Sequence, residues 1–469
     1  MVGIRIINSF PLMKINLFLD HPRVKKSWSI HPSCEHDAVM PPQAKFALKS
    51  FAFLAFFFLA TLENRSFAAE WNQFRGPTGQ GTVEADQLPL QWSEEQNIGW
   101  KTAIHDKGWS SPVVCKDKIW MTTASEDGRK LYVVVVQAKD GAILWDRQLF
   151  TITDPQFAHK FNSYASPTPV SDGSRVYVTF GSPGTACLNA QTGEVVWERR
   201  DIVCNHFRGA GSSPILFQDL LIMNFDGSDH QFIMALDAAT GETRWQTQRS
   251  IDYMDLGPDG LPEADGDWRK GFSTPHVAEL EGQQRLLSIG SKALYAYEPL
   301  TGKEIWHTES RIGHSASSRP TIHRNQIYYL TGFSKGELWA VQPGGHGHVT
   351  DTHVRWTFKR SVPNKPSMIA HEGCLFMIHD GGVASCTDTI TGEAIWQERI
   401  GGNYSASPIR WKEHIYFFSE EGKTSIIEAS KNFVLKHTNQ LDGGFMASPA
   451  VVGQSLILRS KSHLYRINP

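Results

Sequence analysis

Cysteine is scarce in this sequence. Its 469 residues include six cysteines, and no two of them are adjacent or arranged as Cys-x-x-Cys. Zinc knuckles and dense disulfide frameworks are therefore excluded, because both need cysteines at close, regular spacing. Cys374 and Cys386 flank a turn expected at 380–382 and could face each other across a hairpin. Two interpretations stay open for this pair: a disulfide, or two buried free thiols on strands.

Long runs of one charge are also missing. The chain has 46 Lys and Arg against 48 Asp and Glu, with no polybasic or acidic tract. A nucleic-acid surface or a polybasic membrane patch is therefore not expected. Hydrophobic residues make up 41% of the chain and charged residues 20%, which is the composition of an ordinary globular protein.

The sequence has a single long apolar run, residues 51–60, which is too short to span a bilayer. Lysines precede it and the small-x-small sequence Ser66-Phe67-Ala68 follows, which is the layout of a secretory signal. We interpret 40–68 as a signal peptide and 1–39 as a non-native extension upstream of Met40; an uncleaved anchor is the alternative. The mature chain is then expected to be periplasmic or extracellular, with no transmembrane span.

Helical periodicity is absent, and one phrase recurs instead. Residues 235–245 read Ala-Leu-Asp-Ala-Ala-Thr-Gly-Glu-Thr-Arg-Trp: a strand ending in Asp, a Thr-Gly turn, and a strand with Trp four residues after Gly. Glycine suits the positive φ of the tight two-residue hairpin turn that we expect here. The turn glycines of the clear copies are Gly193, Gly241, Gly302 and Gly392.

Eight copies of this phrase can be counted. The Trp anchors recur every 39 to 61 residues, with an eighth slot at Leu435, and are Trp100, Trp145, Trp197, Trp245, Trp306, Trp356 and Trp396. A second marker alternates with them, a residue followed by Pro: Ser111-Pro112, Ser166-Pro167, Ser213-Pro214, Thr274-Pro275, Arg319-Pro320, Lys365-Pro366, Ser407-Pro408 and Ser448-Pro449. Short runs of β-branched and aromatic residues lie between the markers, so each repeat predicts four strands. The predicted fold of 97–469 is all-β, an eight-bladed β-propeller of four-stranded antiparallel blades.

The two ends of the repeat region complement each other. The last copy stops at residue 469 without a Trp strand, and an unmatched Trp strand stands at about 97–103. We expect these two ends to pair and close the ring, which would leave no exposed sheet edge at the joint. The connections that follow the Trp strands share one face, and the longest of them lie around blades two to four. That long-loop face is where we expect function to reside.

The phrase Ala-x-Asp-x-x-Thr-Gly-x-x-x-Trp resembles the tryptophan-docking repeats of the pyrroloquinoline quinone (PQQ)-like propellers. That family includes PQQ-dependent alcohol dehydrogenases and the outer-membrane protein assembly factor BamB, and the resemblance covers 97–469. The lead-in at 69–96 opens with Trp-Asn-Gln-Phe-Arg-Gly-Pro-Thr-Gly-Gln-Gly. This opening resembles that of secreted bacterial PQQ-like repeat proteins, and we expect it to pack across the propeller.

The resemblance implies two functions that must be told apart. In the dehydrogenases PQQ and Ca²⁺ lie in a central funnel, under a disulfide between adjacent cysteines, with an Asp as base. Here no two cysteines are adjacent, and no Glu, Asn and Asp set matches. We therefore expect a non-catalytic, BamB-like binding or assembly scaffold with protein partners in the cell envelope, and no metal or cofactor. The alternative is a PQQ- and calcium-dependent oxidoreductase acting on alcohols or sugars. No lipoprotein cysteine follows the apolar run, which departs from BamB.

Candidate binding residues come from the loops of the long-loop face, where a small-molecule ligand is also conceivable. They are His159, Asn162, Tyr164, His206, Arg208, Asp226 and Asp229, together with three basic residues expected to line an inner positive ring, Lys270, Arg319 and Lys365. The alternative is that the loop residues satisfy backbone groups and that the basic residues pair with the acidic loop at 246–273. That loop lacks the ligand spacing of an EF-hand.

Overall fold

Short β-strands build nearly all of the regular structure in residues 70–469, the part of the chain that the structure (a computed structural model) describes. They form eight sheets, each with four strands in antiparallel order. The predicted eight-bladed propeller is confirmed. The predicted extension at 1–39 and signal peptide at 40–68 lie outside the described residues. Within 70–469 no helix is both long and apolar enough to cross a bilayer.

The first four blades follow one another along the chain. Their strands are Val113–Cys115, Lys118–Ala124, Lys130–Gln137 and Ile143–Thr151 in blade 1; Val170–Ser171, Arg175–Thr179, Thr185–Asn189 and Val195–Arg199 in blade 2; Ile215–Phe217, Leu220–Asp226, Gln231–Asp237 and Thr243–Gln248 in blade 3; and His276–Leu280, Gln283–Gly290, Ala293–Tyr297 and Glu304–Glu309 in blade 4. A 3₁₀ helix, Glu263–Arg269, lies between blades 3 and 4.

The last four blades continue the ring. Their strands are Thr321–His323, Gln326–Leu330, Leu338–Val341 and Val354–Phe358 in blade 5; Ile369–His371, Cys374–Ile378, Val383–Asp388 and Ala394–Arg399 in blade 6; Ile409–Trp411, His414–Phe418, Lys423–Glu428 and Leu435–Gln440 in blade 7; and Ala450–Val452, Ser455–Arg459, His463–Ile467 and Ile98–Ala103 in blade 8. Two short strands are added: Gly347–His348 on the outer edge of blade 4 and Thr82–Val83 on the inner edge of blade 7. A short α-helix, Thr350–His353, precedes the outer strand of blade 5.

The ring closes as the sequence predicts. Ile98–Ala103 pairs antiparallel with His463–Ile467, so the two ends of the repeat region share blade 8. The first strand of each blade is the innermost, and these strands together surround a central channel. We call the face that carries the loops between blades the upper face and the face that carries the Thr-Gly turns the lower face.

The second strand of each blade is largely buried because neighbouring blades cover both of its faces. Leu220–Asp226, for example, is buried at every position. The fourth strand has solvent on one side and alternates, as Thr243–Gln248 does around Trp245. The core therefore consists of apolar layers, one between each pair of neighbouring blades. Each layer is formed by the two sheets that face each other.

Five of the anchor Trp rings, those of Trp100, Trp145, Trp197, Trp245 and Trp356, pack on the turn glycine of the next blade. A Cβ on Gly241 would lie 2.8 Å from the ring of Trp197, and the Trp197 Nε1 donates to the Ala238 carbonyl at 3.1 Å. The expected two-residue hairpin is wrong, because strand pairing ends at Asp237 and resumes at Thr243. Asp237 Oδ1 caps this longer turn by accepting two backbone N–H groups, and the Gly241 N–H donates to the Asp237 carbonyl.

Three of the predicted repeat positions are displaced by two residues. The slot equivalent to Trp in blade 7 is His437, not Leu435, since His437 pairs with Ile426 at the register where Trp396 pairs with Cys386. The markers of blades 2 and 6 are Thr168 and Ser367, not Ser166 and Lys365. The reason is that Thr168 and Ser367, and not Ser166 or Lys365, take part in a ring of hydrogen bonds between blades.

This hydroxyl ring links the starts of the innermost strands. In seven of the eight joints, a backbone N–H of one blade donates to the marker hydroxyl of a neighbouring blade at 2.9–3.1 Å. Its hydroxyl residues are Ser111, Thr168, Ser213, Thr274, Ser367, Ser407 and Ser448. The hydroxyl is missing only where Arg319 occupies the marker position of blade 5.

Candidate functional site

The lead-in segment enters the lower half of the central channel. Residues 70–83, which we call the plug, contact the innermost strands of six blades. The carbonyl oxygen of Trp71 accepts the Val114 N–H of blade 1 at 2.8 Å, and Asn72 exchanges two hydrogen bonds with Ser171 of blade 2. Thr82–Val83 then pairs in parallel with the first strand of blade 7.

Two arginines lie buried where the plug meets the channel wall. Arg75, which belongs to the plug, donates to the carbonyls of Met368 at 2.8 Å and Pro408 at 3.5 Å. Arg319 donates back to the plug, to the Phe74 carbonyl at 2.8 Å and to Gln73 Oε1 at 3.1 Å. Both are 2% exposed. Burial lowers the pKa of each to about 9, and for Arg75 the charge of Arg319 adds to that effect.

Gln80 attaches the plug to blades 4 and 5 through hydrogen bonds. Its Nε2 donates to the Pro320 carbonyl at 3.1 Å and lies 3.2 Å from His276 Nε2, while its Oε1 accepts the Ile322 N–H. Burial and the two nearby arginines hold the pKa of His276 well below its usual range, so this imidazole is neutral. The plug therefore occupies the lower channel, and two buried guanidinium groups lie beside it.

On the upper face, Asp267 forms ion pairs with Arg208 and Lys270, two of the predicted binding residues. Arg208 binds it with both Nε and Nη2 at 3.0 Å, and the buried Lys270 ammonium binds the same carboxylate. Lys270 also lies 5.1 Å from the centre of the Phe207 ring. Burial lowers the pKa of Lys270. This ion-pair cluster ties the loop before blade 3 to the loop before blade 4.

His159, Asn162 and Tyr164 are brought together in the loop before blade 2, where they help line an open cleft of about 420 Å³. Asn162 is fully engaged: Nδ2 donates to the carbonyls of Arg208 and Ala210, and Oδ1 accepts from Ser163 N and Ser166 Oγ. Burial and three neighbouring cations lower the pKa of His159. The loop residues thus satisfy backbone groups, which was the alternative interpretation for Asn162.

The same loop extends over the upper end of the channel. Phe161 stacks on His159 with ring centroids 5.6 Å apart, and its ring lies 5.6 Å from Lys365 Nζ. Lys365 belongs to the loop before blade 6, which is opposite blade 2 in a ring of eight. Lys365 also pairs with Glu420 at 2.9 Å. The contact therefore spans the upper mouth of the channel.

The remaining candidates have structural partners. His206 is buried and accepts the Ser182 N–H at Nε2, and burial lowers its pKa to about 4. Asp226 is buried in a bidentate pair with Arg249 at 2.7 and 2.8 Å. Asp229 accepts the N–H groups of Asn205 and His230. Lys270, Arg319 and Lys365 bind three different sets of partners and do not line a common ring.

An apolar tip protrudes from the long loop before blade 4. Its three side chains, Met254, Leu256 and Leu261, are 84%, 61% and 64% exposed. The base beneath the tip is ordered by contacts: Asp255 pairs with Arg269 at 2.6 Å, and a bridge joins Leu256 to Pro262. The contacts of the base therefore fix the backbone of the tip while its three apolar side chains stay exposed to solvent.

The calcium-bound quinone of the dehydrogenases would need a site rich in oxygen ligands. Calcium takes six to eight oxygen ligands, mainly carboxylates and carbonyls. Between residues 70 and 469, no three or more His, Cys, Asp or Glu side chains converge to hold a metal ion. The five cysteines of this region are all free and buried, Cys374 and Cys386 among them. Buried arginines occupy the lower channel, and their charge would repel a cation.

Sequence reasoning missed the residues that organise these contacts. Arg75, Gln80 and Asp267 were not singled out, and Arg249 was not recognised as the partner of Asp226. A signal existed for the plug, whose Arg and three glycines lie within seven residues. Its partners could not be inferred, because Arg75 bonds residues 293 and 333 positions away.

Comparison with known proteins places the chain among relatives of one kind. A family model described as outer membrane protein assembly factor BamB matches residues 129–269 and 229–469. BamB of Legionella pneumophila (strain Paris) is 24% identical over 227 residues, which are 47% of this chain and 51% of that protein. The chain thus aligns with about half the length of this curated relative.

Solved structures share the fold. BamB from Moraxella catarrhalis superposes with a TM-score of 0.55 at 14% identity, over 79% of this chain and 97% of that one. A europium-containing methanol dehydrogenase superposes with a TM-score of 0.53 at 12% identity, over 87% and 92%. At such identities the likeness concerns the fold alone. The match of the family model over most of the chain, together with eight tryptophan-docked blades, shows that this protein belongs to the BamB family of PQQ-like propellers.

Proposed function

We propose that this protein is a non-catalytic binding or assembly scaffold of the cell envelope, and that it docks a protein partner through the apolar tip of its upper face. The observation that carries the proposal is the exposure of Met254, Leu256 and Leu261 on an ordered base. Large apolar side chains clustered in water on a soluble protein are typical of an interaction site.

The base of the tip supports this function because it reduces the entropy lost on binding. Tyr253 is buried under the tip, and the Arg269 guanidinium lies 5.3 Å from its ring centre. The Asp267 pairs with Arg208 and Lys270 fix the far side of the same loop. A surface already held in its binding conformation gives up little conformational freedom to a partner.

The charge around the tip suggests the kind of partner. Four acidic residues of the same loop are exposed: Asp252, Asp259, Glu263 and Asp265. Complementary charge steers association and selects partners. The partner is therefore a protein whose apolar groove has a basic rim. The name of the relatives, outer membrane protein assembly factor, is consistent with a scaffold that works with other proteins.

Photo-crosslinking in the producing cells tests the docking site. A photoreactive amino acid replaces Leu256, and a matched control replaces Ile390, which is 80% exposed on a lower-face turn. We expect discrete protein adducts from position 256, few from position 390, and loss of the former when Leu261→Asp is added. Equal labelling at both positions, or labelling unaffected by Leu261→Asp, would contradict docking through the tip.

The oxidoreductase alternative makes a separate prediction, calcium-dependent binding of PQQ. Because buried arginines and the plug occupy the lower channel, we expect no saturable binding when the purified protein is titrated with PQQ and Ca²⁺ to high micromolar concentration. Calorimetry and visible absorbance provide the measurement. Saturation at micromolar concentration, about −8 kcal/mol, would support the enzyme instead.

A further inference from the structure

The plug differs from the blades in how it is attached. Each blade is complete without it, since the eight sheets and the joint between Ile98–Ala103 and His463–Ile467 already close the ring. Only Thr82–Val83 of the plug pairs with a strand, and it does so in parallel on the inner edge of blade 7. Many of its other hydrogen bonds run to backbone groups of the channel wall, and the side chains of Arg319 and His276 add to them.

The polar contacts of the plug resemble the recognition of a peptide, while Trp71 and Val83 are buried in the apolar layer beside blades 1, 7 and 8. The carbonyls of Trp71, Asn72 and Gly81 accept main-chain N–H groups of the wall, which are those of Val114 in blade 1, Ser171 in blade 2 and Arg410 in blade 7. Arg75 inserts between blades 6 and 7 and is bound through their carbonyls. Main-chain bonds give affinity in this mode of recognition, and anchored side chains give specificity.

The close contact between the plug and the channel wall also restricts which residues the plug can contain. Gly79 has a φ of +68°, and a Cβ there would lie 2.4 Å from Arg319 Nη1. Any larger residue would displace the guanidinium that binds Phe74 and Gln73. The site therefore accepts a peptide with an arginine followed by glycines, at the spacing that residues 75–81 provide.

We propose that the lower half of the central channel is a peptide-binding site, that residues 70–83 are its resident ligand, and that a free peptide of the same sequence can take their place. After the plug, Leu88 and Trp92 are buried against blade 7, and the chain becomes exposed only just before the closing strand, where it can be cut. Glu95, Gln96 and Asn97 are exposed, and the turn from Ser93 to Gln96 is held by two backbone hydrogen bonds of 3.2 and 3.3 Å. This site is separate from the apolar tip, so its test does not depend on the proposed function.

The bound state also contains an unfavourable element that favours release. Arg75 and Arg319 lie buried near each other, and neither has a carboxylate within ion-pair distance in the described part of the chain. The Nε of Arg319 is buried without a hydrogen-bond partner. Departure of the ligand would return Arg75 to water and relieve this repulsion. The site is thus built to hold its ligand through many hydrogen bonds against an electrostatic cost.

A cleavable variant tests exchange. A protease recognition sequence is inserted between Glu95 and Gln96 of the full chain, so that cutting leaves the plug held by non-covalent contacts alone. We expect the fragment to co-elute with the propeller after cutting. A dye-labelled peptide of residues 69–92 in excess should then replace it, as followed by fluorescence anisotropy.

Two competitor peptides make the test specific. The peptide that carries Arg75→Ala should compete at least about 30-fold more weakly than the peptide of natural sequence, because it loses buried hydrogen bonds from a charged donor. Glu84→Ala, at an exposed position, should compete as well as the natural sequence. The proposal is overturned if the fragment leaves a still-folded propeller at once, if no peptide exchanges, or if the two variants compete equally.

Discussion

The turn glycines show, at the scale of single residues, how the repeat motif couples one blade to the next. Gly241 has a φ of +77° and lies under the Trp197 ring, whereas Gly173 has a φ of +87° with open space around it. Alanine at either site is strained by the positive φ, at a cost of about 1 kcal/mol. At Gly241 the added Cβ would in addition displace the indole.

We therefore expect Gly241→Ala to lower the free energy of unfolding by roughly 2–4 kcal/mol, and Gly173→Ala by only about 1 kcal/mol. Urea unfolding followed by Trp fluorescence measures both. Equal losses would mean that the indole does not constrain the turn.

His206 gives a second expectation at this scale, in the dependence of stability on pH. Burial lowers its pKa in the folded protein to about 4, against an ordinary value of 6.5. Between pH 6.5 and 4, His206 is protonated in the unfolded chain but stays neutral in the folded protein. The free energy of unfolding therefore falls as the pH drops from 6.5 towards 4. The difference corresponds to roughly 3 kcal/mol.

His206→Gln isolates this contribution from other groups that titrate in the same range. The variant should be less stable than the natural protein at neutral pH, and the gap should narrow as the pH falls to 4. Thermal unfolding at a series of pH values measures it. A gap that stays constant with pH would contradict the assignment.

At the scale of elements, the hydroxyl ring holds the innermost strands together. Ser407 Oγ accepts the Ser367 N–H at 3.0 Å, and Ser407 N–H donates to Ser448 Oγ. Ser407→Ala would leave the Ser367 N–H buried without an acceptor, which costs about 1–3 kcal/mol. Ser407→Thr keeps the hydroxyl, as Thr168 and Thr274 do at equivalent positions.

Hydrogen exchange reports on this bond directly. We expect the peptide containing Ser367 to exchange faster in Ser407→Ala and at the natural rate in Ser407→Thr. If both variants behave alike, the hydroxyl does not protect the joint between blades 6 and 7.

For the whole molecule, the repeat made the architecture predictable from sequence, while contacts between distant residues did not follow from it. Eight Trp slots and the unmatched strand near Trp100 were enough to predict the number of blades and the closing joint. The marker of blade 2 was displaced because the sequence offers two Pro dipeptides there, Ser166-Pro167 and Thr168-Pro169, and local sequence does not say which hydroxyl meets the next blade. In blade 6 the hydroxyl residue, Ser367, is not followed by Pro.

The candidate site was less predictable for the same reason. Loop positions of His159 and Arg208 followed from the topology, whereas their partners depend on how loops of different blades meet. Asp267 was read as one acid in a solvated loop, yet it binds Arg208 and Lys270. The use of Arg319 by the plug could not be foreseen, because the acceptors lie about 245 residues earlier in the chain.

The location of the plug constrains the order in which the molecule can form. Residues 70–83 emerge early in synthesis, but the cavity that receives them has no complete wall until the strand His463–Ile467 has joined Ile98–Ala103. Contacts of such long sequence separation are slow to form. The plug is consequently among the last parts of the described chain to reach its final position, because the wall around it is complete only once His463–Ile467 has been made and has paired.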